Sequence, residues 1–132
     1  MNKYVLYDIP TFCYIVKVWK IKQTDQFGQW FGELDSGVRE DIYSALRVLA
    51  EYGPKLGRPY VDTVNDSNYT NMKELRVQCG GQPYRIFFAF DPQRNAVLLV
   101  GGNKKGNKRF YKKYIPVADA LFKTYLEDMK DG

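Results

Sequence analysis

Histidine is absent from this 132-residue chain. That removes the commonest general base, the commonest metal ligand and any Ser-His or Cys-His nucleophile pair. Cysteine is scarce. Cys13 and Cys79 cannot build a four-thiolate zinc site and do not outline a disulfide framework, so the chain reads as reduced and cytoplasmic. No run of 18 apolar residues exists, which excludes a transmembrane helix, and no membrane partner is expected. Carboxylate pairs suited to glycoside or metal chemistry are missing, because the acids are scattered on helix faces; neither a metal nor another cofactor is expected. Gly101 and Gly106 have the spacing of phosphate-loop glycines. Asn107-Lys108 stands where that motif needs Lys-Ser/Thr, and the segment before it ends a meander rather than opening a βα unit, so the motif is rejected. Cys79, near a strand end, reads as small structural filler rather than a nucleophile.

What is present is a globular composition. Hydrophobic residues make up 45% and aromatics 16%, enough to bury a core in one domain. The charge is uneven. Residues 1–71 carry 8 basic and 9 acidic side chains, whereas residues 72–132 carry 12 basic and 6 acidic, so the net +5 resides in the second half. Within it, NKKGNKRFYKKY (103–114) holds Lys104, Lys105, Lys108, Arg109, Lys112 and Lys113 with no acid. Such a run is commonly a solvated loop. Here Phe110, Tyr111 and Tyr114 are interleaved with the cations, and phosphate neutralisation beside base stacking suits single-stranded nucleic acid.

The first 17 residues are apolar and aromatic but broken by Asp8 and Pro10, and they lack the layout of a signal peptide. They read as a loosely attached extension to a single domain spanning 18–132. Val18–Lys22 alternates as a first strand. Thr24 or Asp25 caps a short helix through about Leu34. Asp35 or Ser36 caps a second, with Val38, Ile42, Ala45, Leu46 and Leu49 on its apolar face and Gly53-Pro54 as its stop. The short connection predicts a helical hairpin. Gly53–Asn71 reads as loop. Three strands follow: Met72–Gln78, Tyr84–Phe90 after a Gly-Gly turn, and Ala96–Gly101 after DPQRN. The last two are apolar on both faces and therefore central. Pro116 suits the first residue of a last helix bearing Ala118, Leu121, Phe122, Tyr125 and Met129. The fold class is α+β, with the hairpin and the last helix on a mainly antiparallel sheet of about four strands.

Arg76 and Arg85 are the informative charges. Each is flanked by apolar neighbours in or beside a strand, where a guanidinium must be paired or face a solvent-filled groove. A salt bridge to Glu74 or Asp91 is the plain alternative. The Gly-Gly turn should bring the two arginines together, and the next strand should deliver Lys104 and Lys105 to the same edge. An anion, such as a phosphate, is the expected occupant.

The segments GPKLGRPYVDT, NMKELR, PYRIFFAFDP and AVLLVGGNKKGNKRFYKKYIPVADALF, in that order, resemble the RelE/ParE toxin superfamily. Within it, the chain is most similar to the HigB-like (phage Gp49-like) branch of type II toxin–antitoxin systems, over about Val18 to Met129. Residues 1–17 depart from that pattern, and Val18 is a plausible alternative start. The resemblance implies a RelE-like fold and a metal-independent endoribonuclease (mRNA interferase) that inhibits translation by cutting mRNA on the ribosome. A helix-turn-helix antitoxin of the HigA kind would restrain it. The ribose 2′-OH would attack the adjacent phosphodiester, giving a cyclic phosphate and a free 5′-OH. Arg85 matches the arginine on the scissile phosphate, Arg76 a basic position on the preceding strand, and Lys104 or Lys105 the cation after the last strand. Tyr111 matches the aromatic hydroxyl, with Phe110 as the alternative if the loop register slips by one.

Arg58, Lys73, Lys108, Arg109, Lys112 and Lys113 are candidate RNA contacts, with a loop-locking salt bridge as the alternative for Arg58. Met72 and Glu74 stand where several ribosome-dependent relatives carry lysines, and Lys73 falls on the opposite strand face from Arg76. The general base is unassigned among Lys73, Glu74 and solvent. The competing readings are a ParE-like inhibitor of a protein target such as DNA gyrase, and an inactive relic that retains only antitoxin binding.

Overall fold

A computed structural model describes residues 5–7 and 18–131. The reading of residues 1–17 as an extension therefore falls, apart from 5–7, outside the described residues. The elements run β1 (Val5–Tyr7), β2 (Ile21–Gln23), α1 (Asp25–Gly32), α2 (Ser36–Tyr52), β3 (Val61–Thr63), β4 (Lys73–Cys79), β5 (Gln82–Phe90), β6 (Ala96–Asn103) and α3 (Phe110–Asp131). They form one six-stranded sheet in the order β1-β2-β6-β5-β4-β3. All neighbours are antiparallel except β2 and β6, which run parallel. The α+β class holds, with a mainly antiparallel sheet. Its strand count exceeds the expected four because a short strand pairs at each edge.

Local chemistry explains the helix boundaries. Thr24 caps α1, its Oγ1 accepting from Phe27 N at 3.1 Å while its hydroxyl donates to Leu99 O at 2.6 Å. One residue thus starts the helix and ties it to β6. Asp35 caps α2 by accepting from Val38 N at 3.1 Å. Gly53 ends α2 with φ +58°, and a Cβ there would lie 2.4 Å from the Trp19 ring, so both backbone and space demand glycine.

The sheet is covered on both faces. The hairpin α1–α2 packs Phe27, Ile42, Leu46 and Leu49 on Leu75, Ile86, Phe88 and Leu98. On the other face α3 packs Phe110, Phe122 and Tyr125 on Phe87, Ala89, Val97 and Leu99. That double covering is why β5 and β6 read as apolar throughout.

Three boundaries differ from expectation. The strand expected over Val18–Lys22 is β2, which begins at Ile21. β3 lies inside the supposed loop; at three residues and at the sheet edge, it leaves almost no periodic signal. Most consequentially, α3 starts at Phe110, two turns before the expected boundary, with Pro116 inside the helix. Burial of Phe110 and Ile115 against the sheet draws this segment into the helix. Pro116 is exposed, so the carbonyl it leaves unpaired faces solvent. The last five residues of the basic aromatic segment 103–114 are therefore helix rather than loop.

Candidate active site

The turn at Gly80-Gly81, both with positive φ, fixes the β4–β5 register so that Arg76 pairs directly with Arg85. On β4, Glu74 and Arg76 are two residues apart and so share a face. That face is the one α3 covers, because the Tyr111 hydroxyl donates to Glu74 Oε1 at 2.7 Å. Glu74 sits between the arginines. Arg76 Nη2 donates to its Oε2 at 3.3 Å, and Arg85 Nε approaches its Oε1 at 3.6 Å. The side chains of Glu74 and Arg85 are 5% and 11% exposed, and that of Arg76 is 35% exposed. The plain alternative for the arginines, an ion pair with Glu74, is thus what the structure contains. Asp91 instead accepts from Asn95 and from the Tyr125 hydroxyl, locking the β5–β6 turn.

The ion pairing is incomplete, however. Among the described residues Arg76 Nε is buried with no hydrogen-bond acceptor, and Arg85 Nε is buried against Glu74 Oε1 at 3.6 Å, an ion pair just beyond hydrogen-bond length. Buried guanidinium donors without a full hydrogen bond are costly, and a phosphate group is an acceptor that satisfies them. The charges point the same way. Asp62 of β3 takes Arg58 Nη2 at 2.9 Å and Arg76 Nη2 at 3.1 Å, and Lys104 Nζ lies 5.5 Å from the centre of the Tyr111 ring. Among the described residues Arg58, Arg76, Arg85 and Lys104 therefore meet two carboxylates, Asp62 and Glu74. The bond to Arg58 chiefly holds the Asp62 carboxyl below its ordinary range, and Asp62 in turn raises Arg58. Burial first, and then the bond to Glu74, raise the Tyr111 phenol above its usual value, with Arg85 opposing. Tyr111 is thus a hydrogen-bond donor at neutral pH. Its ring meets Phe87 and Phe110 edge-on and has Lys104 against it, so its contribution is the hydroxyl rather than an open stacking face.

The other expected residues are placed as follows. Lys105, Lys108 and Arg109 are exposed in the loop after β6, and Lys112 and Lys113 are exposed on the first turns of α3. The Lys113 ammonium lies 5.5 Å from the centre of the Tyr114 ring. α3 has no acid in its first turn, so this cationic rim adds to the positive end of the helix dipole and is relieved by an anion. Lys73 shares the α1–α2 face of β4 with Leu75 and Val77 and is not brought together with the arginines. Arg58 is both a loop-locking ion pair and, with its side chain 74% exposed, open to solvent.

Two features were not legible beforehand. Asp62 reaches Arg76 only because β3 pairs with β4. Tyr114 lies across Gly102, where a Cβ would come 2.8 Å from its Oη. Among the described residues no cluster of three or more His, Cys, Asp or Glu could hold a metal ion, and no helix is long and apolar enough to cross a membrane.

Residues 29–123 match the family model described as phage-derived protein Gp49-like (DUF891). A Mycobacterium tuberculosis protein provisionally named toxin HigB3 is 46% identical over 108 residues, 81% of this chain and 93% of its own length. A second from the same organism, provisionally named toxin HigB2, is 42% identical over 109 residues; the match again takes in 81% of this chain but only 54% of that longer relative. No solved structure matches. With most of its length inside the family model and HigB-named relatives matched over 81% of it, the chain belongs to the Gp49-like family and to its HigB-like toxins.

Proposed function

We propose that the protein is the toxin of a type II toxin–antitoxin system and acts in the cytoplasm as a ribosome-dependent mRNA endonuclease that inhibits translation. The observation that carries this reading is the face-to-face pair Arg76–Arg85, each with a buried Nε–H short of a full hydrogen bond, inside a cluster with more cations than carboxylates among the described residues. In this reading the scissile phosphate takes those donors, and the guanidiniums stabilise the charge that builds on the pentacoordinate phosphorus. Glu74 accepts the ribose 2′-OH proton as general base, held in place by Tyr111 and Arg76. Lys104 adds positive charge beside it, and Arg58 with Lys105, Lys108, Arg109, Lys112 and Lys113 guides the RNA strand. The products are a 2′,3′-cyclic phosphate and a 5′-OH. A helix-turn-helix antitoxin of the HigA kind is the proposed restraining partner.

Expression without an antitoxin tests this. Growth should stop and transcripts should be cut within translated regions, and Arg85→Ala should remove both effects while the variant still folds. Arrest with intact transcripts would overturn the nuclease reading in favour of a protein target such as gyrase.

A further inference from the structure

The two phenols at the start of α3 differ in what holds them. Tyr111 gives its hydroxyl proton to Glu74 on β4. Tyr114, one turn further on the same helix face, reaches the opposite way. Its ring stacks on Phe110 at 4.5 Å and runs parallel to Phe87 at 6.3 Å, and its Oη lies over Gly102 of β6. Gly102 pairs directly with Arg85, and β5 runs between β4 and β6. Across the sheet at this level stand Arg76, Arg85 and then the bare Gly102 backbone under a phenol. Glu74 and the Tyr114 hydroxyl are therefore on opposite sides of Arg85. Unlike the hydroxyls of Tyr111 and Tyr125, that of Tyr114 has no protein acceptor among the described residues.

A displacement at phosphorus needs its attacking and leaving oxygens roughly in line, hence its base and its acid on opposite sides of the phosphate. Resting on the nuclease reading above, we propose that Tyr114 is the general acid of the cleavage, a role that nothing in the sequence pattern assigned to it. The 2′ oxygen forms its bond to phosphorus as Glu74 takes the 2′-OH proton. The bond from phosphorus to the 5′ oxygen breaks, its electron pair stays on that oxygen, and the oxygen receives the Tyr114 proton. Water reprotonates the phenolate and takes the proton from Glu74. Tyr111 cannot serve, since its proton is directed at Glu74. Arginine keeps its proton throughout. Gly102 belongs to the device: any side chain there would occupy the place of the hydroxyl.

The test compares two RNAs on programmed ribosomes, one natural and one with sulfur replacing the 5′ oxygen at the cleaved link. A thiolate leaves without a proton. Tyr114→Phe keeps the stacked ring, and its fold is checked by circular dichroism. It should cut the natural RNA about 10²- to 10⁴-fold more slowly than wild type, the usual worth of general acid catalysis. On the sulfur RNA it should match wild type to within about tenfold. Arg85→Ala should be slow on both. A variant as fast as wild type on natural RNA, or equally slowed on both RNAs, overturns the role of Tyr114 while leaving the nuclease reading intact. Failure of the wild-type protein to cut natural RNA overturns the nuclease reading itself, and this proposal with it.

Discussion

Glu74→Gln probes the cluster most directly. The substitution preserves size and an oxygen to accept the Tyr111 bond, but it deletes the one negative charge between two guanidiniums. Arg76 and Arg85 face each other on neighbouring strands, where paired α-carbons are about 4.5–5.5 Å apart. Unit charges about 4 Å apart interact by about 4 kcal/mol at an effective dielectric near 20. Removing one partner of a buried ion pair costs about 3–5 kcal/mol. Arg76 is partly exposed and keeps Asp62, which argues for the lower end, about 3 kcal/mol. Against a total stability of about 5–15 kcal/mol that is a large fraction, and urea unfolding followed by circular dichroism will register it. Inorganic phosphate should then restore the variant more than it stabilises wild type, because an anion bound to the native cluster replaces the lost carboxylate. A variant within about 0.5 kcal/mol of wild type, or phosphate raising both proteins alike, would refute the reasoning.

Three further outcomes follow from the geometry. Tyr111→Phe should lose about 1.5 kcal/mol at neutral pH, the low end for a bond to a charged acceptor because the phenol is only half-buried. The folded-state phenol is raised, so its contribution is complete below the unfolded value near pH 10 and fades as pH rises through the folded one. The variant and wild-type stabilities should therefore converge in alkaline urea titrations. Gly101→Ala puts a Cβ 2.3 Å from the Trp30 ring and should destabilise by about 1–3 kcal/mol in thermal unfolding. Neutralising Lys105, Lys108 or Lys112 singly should lower the salt dependence of RNA binding by about 0.7 in log–log slope for each phosphate that the lysine neutralises in wild type; an unchanged slope would remove that lysine from the RNA path.

How much of this was legible in the sequence depends on the range of the forces involved. β5 and β6 announced themselves because both faces are buried, and α1 and α2 because Thr24 and Asp35 are local caps. The Arg76–Arg85 pair was also readable, since a two-glycine turn and a period of two fix which residues face each other. Pro116 misled because a preference for first-turn proline is statistical, whereas the start of α3 is set by burying Phe110 and Ile115 against a distant sheet. Glu74 carried a partial signal, two residues from Arg76 on one strand face, which supported an ion pair without revealing that both arginines share it. Asp62 carried none, and Tyr114 was marked as an aromatic among the cations but not as a phenol over Gly102. One acts through a three-residue edge strand, and the other through the missing side chain of Gly102.

The two glycines at the end of β6 carry a constraint on sequence drift. Gly101 is pressed by Trp30 from the hairpin side and Gly102 by Tyr114 from the α3 side, so neighbouring residues of one strand feel two different helices. A larger residue at 101 is admissible only where position 30 shrinks, and one at 102 only where position 114 does. Homologous chains that keep this architecture should therefore vary at 30 with 101, and at 114 with 102, as two volume-conserving couples that trade atoms independently across the same ribbon of backbone.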